Sequence, residues 1–134
     1  MIITGPENLL NTVENVNSPV LWVKWNGLPK TKMQNLNLPD RPILLDGGMG
    51  RELRARGVDV MTAIWSANGL IKAPDTVRQI HLDYIAAGAD IITTNTYGII
   101  RNNLAIEGLE DQFKALNVLA CNLAGQARTL SALN

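Results

Sequence analysis

Asp46 and the glycines after it have the residue types of a site for a small charged molecule. Gly47 and Gly48 follow the carboxylate directly, and Gly50 comes two residues later. A carboxylate binds cations, and backbone N–H groups at the start of a helix bind anions. Together they could hold both charged ends of a free amino acid. The stretch lacks the Lys-Ser or Lys-Thr ending of a phosphate loop, which argues against a nucleotide. A plain tight turn is the alternative, and the local residues alone favour it.

A second polar cluster covers residues 93–97. Thr94, Asn95 and Thr96 carry hydroxyl and amide groups, and Tyr97 adds an aromatic ring. These side chains could line the same pocket as Asp46. The alternative is a strand end that leads into a turn, with Asn95 and Thr96 satisfying backbone groups. Locally this alternative is favoured.

Three further residues carry groups that could take part in chemistry. Trp65 could form an apolar wall of the pocket, although a tryptophan is more often part of a core. His81 has no second histidine or cysteine nearby, so we interpret it as structural or exposed. Cys121 flanks an apolar stripe and is interpreted as a small packed hydrophobic residue. It is the single cysteine of the chain, which excludes an internal disulfide and a multi-cysteine zinc site built from this chain by itself.

The elements that would position these groups alternate between strands and helices. Apolar and β-branched runs predict two buried strands, and periodicity with Pro and Gly boundaries predicts three helices. The strands cover residues 43–45 and 89–96, and the helices cover residues 50–56, 74–88 and 110–130. Both polar clusters follow a strand. In parallel α/β folds the carboxyl ends of strands open onto one face, so we expect the two clusters to meet there.

The element order has few hairpin signals and favours right-handed βαβ crossovers in a parallel sheet. We predict an α/β fold, the N-terminal part of a (β/α)8 barrel that is incomplete in this chain, because a complete barrel takes roughly 250 residues. An open doubly wound sheet is the alternative. A partial barrel leaves an unpaired edge after residues 91–92 and an uncovered apolar stripe on the last helix. The chain alone is therefore predicted to self-associate, to fold loosely or to pair with a missing C-terminal half.

Residues 1–42 form a separate region of the predicted organisation, ahead of the barrel portion at residues 43–134. They are rich in Asn and Pro and contain one strand-like run, residues 20–25. We interpret them as an extension that covers another part of the molecule, with its role open.

Composition narrows the classes of partner. The 134 residues are 46% hydrophobic, and 12 basic residues balance 12 acidic ones. One domain with a real core fits this length. Because no net field favours nucleic acid or an anionic membrane, we expect neither as a partner. Glu7 and Glu14 interrupt the region where a signal peptide would need basic and apolar residues, so we predict a cytoplasmic location.

Several segments in their order and spacing resemble the homocysteine S-methyltransferase family. They are residues 43–53 and 64–67, then Pro74 with residues 81–84, then residues 87–97. The resemblance covers about residues 43–130. That family includes betaine-, S-methylmethionine- and folate-linked enzymes on a (β/α)8 barrel. It implies methyl transfer to the homocysteine thiol, giving methionine.

The resemblance also implies roles for single residues. Asp46 would help to hold the homocysteine ammonium, the Gly47-Gly48 backbone would lie near the carboxylate, and Trp65 with residues 94–97 would line the pocket. The family uses zinc held by three cysteines, which stabilises the homocysteine thiolate. None of those cysteines is present, so we assign no catalytic residue and no metal ligand to this chain. Donor contacts in the family lie largely beyond the matching part, and the methyl donor stays open.

Two functional hypotheses follow. In the first, the chain supplies part of the homocysteine pocket of a methyltransferase and is inactive alone. In the second, it is a noncatalytic α/β module that binds an amino acid or pairs with another subunit. Zinc content discriminates between them.

Overall fold

The computed structural model describes residues 40–133. The strand-like run at residues 20–25 and nearly all of the predicted extension lie outside the described residues. The helices are α1 (Met49–Ala55), α2 (Asn68–Lys72), α3 (Pro74–Ala86), α4 (Arg101–Ile106) and α5 (Phe113–Ser131). One-turn 3-10 helices, Trp65–Ala67 and Glu110–Gln112, lead directly into α2 and α5.

The two predicted strands meet in a parallel pairing, as expected, but the pairing is short. Leu45 forms a parallel bridge with Ile91. Asp46 N donates to Ile91 O at 2.9 Å, and Ile91 N donates to Leu44 O at 3.2 Å. Among residues 40–133 the pairing of these two segments stops at this single bridge, and neither segment forms a regular strand.

The predicted burial of the first strand is wrong for the described part of the chain. The side chains of Leu44 and Leu45 are 53% and 57% exposed, whereas Ile92 on the second segment is 5% exposed. Helices cover the second segment, but nothing in residues 40–133 covers the outer side of the first. An apolar edge is left facing solvent.

An ion pair at the start of the first strand helps to fix its position. The Arg41 guanidinium donates to both Asp90 carboxylate oxygens at 2.7 and 2.6 Å, and Leu44 N donates to Asp90 Oδ2 at 2.9 Å. The hydrogen bonds from Arg41 and Leu44 lower the pKa of Asp90 to about 2. The charged form of Asp90 therefore holds the two segments in register.

The boundaries of α1 and α3 confirm the predicted helices to within two residues. Pro74 occupies the first turn of α3, where its missing N–H costs no hydrogen bond. Gly57 and Gly88, which follow α1 and α3, have φ angles of +78° and +98°. Glycine adopts this left-handed conformation without the steric cost of a Cβ, so both helices end there.

The core lies between α3 and α5, which pack against each other. Buried apolar side chains of both helices contribute to it, among them Val77, Ile80, Leu116, Ala120 and Leu123. The prediction that the apolar stripe of α5 is uncovered is therefore wrong, because α3 covers it. Cys121 is half-buried on α5, and burial raises the pKa of its thiol. Among the described residues, no helix combines the length and apolar character needed to cross a membrane.

Candidate functional site

Asp46 leaves the first strand segment with its carboxylate turned toward the second. Thr93 N donates to Asp46 Oδ2 at 2.8 Å, and Thr93 Oγ1 donates to Asp46 Oδ1 at 2.9 Å. No Lys or Arg in residues 40–133 forms an ion pair with this carboxylate. A carboxylate has about four lone-pair sites. Asp46 is therefore oriented by Thr93 while its charge stays uncompensated there and open to a cationic group.

Tyr84 of α3 joins this site, although the sequence analysis did not include it. A Cβ added at Gly47 would lie 2.7 Å from the Tyr84 hydroxyl oxygen and 2.9 Å from Tyr84 Cε1. The phenol thus packs directly over the glycine backbone. Burial raises the pKa of Tyr84, and the nearby charges of Glu52 and Asp46 raise it further. The hydroxyl keeps its proton and can donate a hydrogen bond beside Asp46. A glycine directly after a functional carboxylate is the sequence signal for such a close approach.

Gly48 is exposed and occupies the N-cap position of α1 in an extended conformation. A Cβ there would meet only Arg51 Cβ, at 3.8 Å. A Cβ at Gly47 would therefore force the Tyr84 ring to shift, whereas one at Gly48 would displace nothing.

Trp65 and Tyr97 form an aromatic pair at the same end of the molecule. Their ring centroids are 5.4 Å apart with an interplanar angle of 18°, and the residues are 49% and 77% exposed. Trp65 has φ +49°, a left-handed conformation that costs a non-glycine residue roughly 1–3 kcal/mol. Trp65, considered above as an apolar wall, thus stacks on Tyr97 of the second polar cluster, and both residues are exposed to solvent.

The side chains of residues 94–96 are mostly committed to contacts within the protein. Asn95 is 3% exposed, and its Nδ2 donates to Ser66 O at 2.8 Å. Thr94 is 8% exposed, and its hydroxyl lies 3.1 Å from the Thr96 hydroxyl. In residues 40–133 the amide of Asn95 satisfies a backbone carbonyl, which is the structural alternative considered for it. Its contact holds the Trp65 loop beside the second strand.

Gly50 connects the two halves of this region. A Cβ added at Gly50 would lie 3.5 Å from Ser66 Cβ, so the first turn of α1 contacts the Trp65 loop. The site residues therefore form two clusters, one around Asp46 and one around Trp65. The first turn of α1 connects them through the contact of Gly50 with Ser66.

His81 is fully buried in α3, and neither ring nitrogen has a hydrogen-bond partner among the described residues. Burial lowers its pKa, and the negative charge of Asp46 opposes this shift in part. The structural interpretation of His81 fits its burial. No residue pattern indicates that the imidazole lies near enough to Asp46 to respond to its charge.

His81 leads to a prediction for the pH dependence of stability. Its pKa in the folded chain lies below the ordinary value of 6.5. Above pH 6.5 the imidazole is neutral in both states, so its full contribution is present. As the pH falls toward the folded pKa, the unfolded chain binds the proton first, and stability decreases by at most about 1.4 kcal/mol per pH unit for one proton.

Urea unfolding between about pH 7.5 and about pH 5 measures this loss. His81→Phe keeps an aromatic ring of similar size but removes the titration, and it should show a shallower dependence. Parallel curves for the two proteins would contradict the assignment.

A metal site of the kind implied by the family does not fit the residues present. Residues 40–133 contain no group of three or more His, Cys, Asp or Glu side chains able to hold a metal ion. The whole chain has one cysteine. No chemical step can be assigned to a metal on this chain's own residues.

Comparisons with known proteins all lead to methyltransferases of one family. A sequence model described as Homocysteine S-methyltransferase matches residues 43–132. A Homocysteine S-methyltransferase from Escherichia coli (strain K12) is 41% identical over 87 residues, which make up 64% of this chain and 28% of that protein. A Selenocysteine methyltransferase from Astragalus bisulcatus is 36% identical over 96 residues, or 71% of this chain and 28% of that protein.

A solved structure agrees with these relatives. The metallated form of the homocysteine methyltransferase MmuM from Escherichia coli matches with a TM-score of 0.61 and 36% identity. The match covers 75% of this chain and 34% of that chain. The chain thus spans between about a quarter and a third of the length of these relatives.

Proposed function

The chain belongs to the homocysteine S-methyltransferase family, and we propose that it supplies the N-terminal part of a homocysteine-binding (β/α)8 barrel. The parallel pairing of Leu45 with Ile91 and the helices that follow each segment support this architecture. So does the similarity to a solved homocysteine methyltransferase. In this proposal residues 43–134 form the barrel portion, and the remaining strands come from outside it.

The carboxylate of Asp46, which pairs with no Lys or Arg of residues 40–133, carries the proposal for the substrate. Thr93 holds this carboxylate in place, and the protonated Tyr84 hydroxyl lies beside it over Gly47. An ammonium group complements the charge of Asp46, because charge-assisted hydrogen bonds are stronger than neutral ones. The backbone of Gly47 and Gly48 would then face the carboxylate of the bound homocysteine.

The aromatic pair would contact the side chain of the bound amino acid. Trp65 and Tyr97 are the large exposed apolar rings at this end of the described chain. Such a wall excludes water from the thioalkyl group. Asn95 would hold the Trp65 loop in place through its hydrogen bond to Ser66 O, and Thr94 and Thr96, whose hydroxyls contact each other, would line the pocket beside it.

The proposed reaction is methyl transfer to the homocysteine sulfur. The thiolate forms a new S–CH3 bond, the bond from the methyl group to the donor breaks, and methionine results. This chain binds and orients homocysteine but supplies no metal ligand. The donor-binding groups, and zinc with its cysteine ligands, would come from the rest of a family barrel.

The open edge at Leu44 and Leu45 favours a second candidate, in which the chain is a noncatalytic amino-acid-binding or subunit-pairing module. The first candidate and the amino-acid-binding form of the second both use the Asp46 site. They differ in whether a zinc-bearing remainder completes the barrel, so zinc and turnover separate them.

We predict that the isolated chain binds no stoichiometric zinc and transfers no methyl group. One cysteine and one histidine in the whole chain cannot form a thiolate-rich tetrahedral site. Metal analysis of chelator-washed protein, with a methyl-transfer assay on the same sample, provides the measurement. One tightly bound zinc per chain that disappears in Cys121→Ser would overturn the prediction.

A chimera tests the proposed function directly. Residues 43–132 replace the matching portion of the Escherichia coli homocysteine S-methyltransferase, and the unaltered relative serves as control. We expect the chimera to bind zinc, bind homocysteine and form methionine. A folded, zinc-loaded chimera that does not bind homocysteine would show that residues 43–132 do not carry the amino-acid site.

A further inference from the structure

Arg51, in the first turn of α1, lies beside the glycines of the candidate site. Its Cβ is 3.8 Å from the position that a Cβ added at Gly48 would take. The residue is exposed, and within residues 40–133 its guanidinium forms no ion pair. A guanidinium presents planar N–H donors that match both oxygens of a carboxylate. Arg51 is therefore available to an anionic group that binds beside Gly48.

The phenol of Tyr84 lies close enough to respond to the charge of Arg51. Burial raises the pKa of Tyr84, and the charges of Glu52 and Asp46 raise it further. The charges of Arg56 and Arg51 oppose this rise. Of these two cations, Arg56 already forms two ion pairs with carboxylates. Among the described residues, Arg51 is thus the cation near Tyr84 that has no carboxylate partner.

Tyr84 offers a second donor over the same glycines. Its hydroxyl oxygen lies 2.7 Å from the position that a Cβ added at Gly47 would take. In the part of the chain that the structure describes, this hydroxyl has no hydrogen-bond partner. Because the phenol keeps its proton, it can donate to a carboxylate oxygen without adding a charge. Arg51 and Tyr84 therefore provide two unused donors beside the Gly47-Gly48 backbone.

Asp46 supplies the opposite charge at this site but forms no ion pair with Arg51. Thr93 N and Oγ1 donate to its carboxylate and orient it. Gly47 and Gly48, which follow Asp46, are exposed and add no side chain to this surface. A free α-amino acid carries its ammonium and its carboxylate on the same carbon. An ammonium at Asp46 therefore places the carboxylate close by, where the glycines leave room for it.

We propose that the Arg51 guanidinium and the Tyr84 hydroxyl together bind the α-carboxylate of the amino acid whose ammonium lies at Asp46. This inference rests on the proposed function, which places homocysteine at Asp46, and it identifies the groups that select a free α-amino acid there. An amine without the carboxylate would contact neither donor. The site thus discriminates by the carboxylate of its ligand as well as by the ammonium.

Titration of the full chain with two ligands, followed by NMR at the Gly47 and Gly48 amides, tests the proposal. The ligands are L-homocysteine and 3-aminopropane-1-thiol, which keeps the ammonium and the thiol but lacks the carboxylate. We expect Arg51→Gln to raise the dissociation constant for homocysteine about 5- to 20-fold and Tyr84→Phe about 3- to 10-fold. Both variants should bind the carboxylate-free amine as the unaltered chain does.

Arg54→Gln is the matched control, because it makes the same change of charge on the same helix. Arg54 is exposed, and it is not among the charges that act on Tyr84. This variant should leave both dissociation constants unaltered, and thermal melting reports that each variant remains folded.

Three results would overturn the assignment of Arg51 and Tyr84 while leaving the proposed function intact. The first is homocysteine binding that both variants retain in full. The second is an equal loss of affinity for the two ligands, which would show a structural role. The third is a loss in Arg54→Gln as large as that in Arg51→Gln, which would show an effect of net charge alone. If the unaltered chain binds no homocysteine, this proposal fails together with the proposed function.

Discussion

Gly98→Ala is expected to lower the free energy of unfolding of the chain by about 3 kcal/mol or more. Gly98 is buried, and a Cβ there would overlap the carbonyl oxygen of Ile64 and lie 2.7 Å from its carbonyl carbon. These are backbone atoms, so no side-chain rotation can relieve the overlap. The segment around Trp65 would have to move away from Tyr97. Urea unfolding followed by circular dichroism measures the loss.

Gly125→Ala provides the matched control for this substitution. Gly125 lies within α5, and a Cβ added there meets no atom within 4 Å. Alanine in a helix interior is favoured over glycine by roughly 0.5–1 kcal/mol, so this variant should be slightly more stable than the unaltered chain. Equal stability of the two variants would show that residues 64 and 98 do not approach closely. The placement of the aromatic wall would then be wrong.

The long helices were predictable because their signals are local. Pro74 and Gly88 bracket α3 with the backbone preferences that start and end a helix. The apolar spacing from Phe113 onward marks the buried face of α5. Neither signal depends on the rest of the fold, so one sequence was enough to place both helices.

The element that covers the apolar face of α5 could not be predicted from local signals. Periodicity shows that α5 has an apolar stripe but not which element covers it, and α3 rather than a missing segment does so. The short helices α2 and α4, with five and six residues, offer too few turns for a periodic pattern. Strand length depends on tertiary pairing as well as on residue types, and in residues 40–133 the two predicted strands meet at one bridge.

The sequence predicted which residues belong to the candidate site better than it predicted the contacts among them. Placing both polar clusters after parallel strands put Asp46 near residues 93–97, and Thr93 indeed binds its carboxylate. The stacking of Trp65 on Tyr97 depends on a left-handed backbone at the tryptophan, which residue types do not indicate. Tyr84 was missed because its helix position looks apolar, whereas its hydroxyl reaches Gly47.

Asp46→Asn in the chimera should weaken homocysteine binding by roughly 1.5–3 kcal/mol, or about 10- to 150-fold in the dissociation constant. The asparagine keeps the shape of the side chain but removes the charge that would attract the ammonium. Its carbonyl oxygen can still accept from the Thr93 N–H, so the strand ends stay joined and stability should change much less. Calorimetric titration with homocysteine and thermal melting measure the two effects separately.

Thr93→Val in the same chimera is the control that distinguishes two roles of Asp46: its charge, which would bind the ammonium, and its hydrogen bonds to Thr93, which join the strand ends. Valine removes the hydroxyl that donates to Asp46 but leaves the carboxylate and its charge in place. If Asp46 binds the ammonium, this variant should retain most of the homocysteine affinity, because the charge is still present for the ligand. Suppose instead that Asp46→Asn left the dissociation constant and the Michaelis constant for homocysteine unaltered while it lowered the melting temperature. Asp46 would then be a structural residue that ties the two strand ends together, and the amino-acid site would have to lie elsewhere in the barrel.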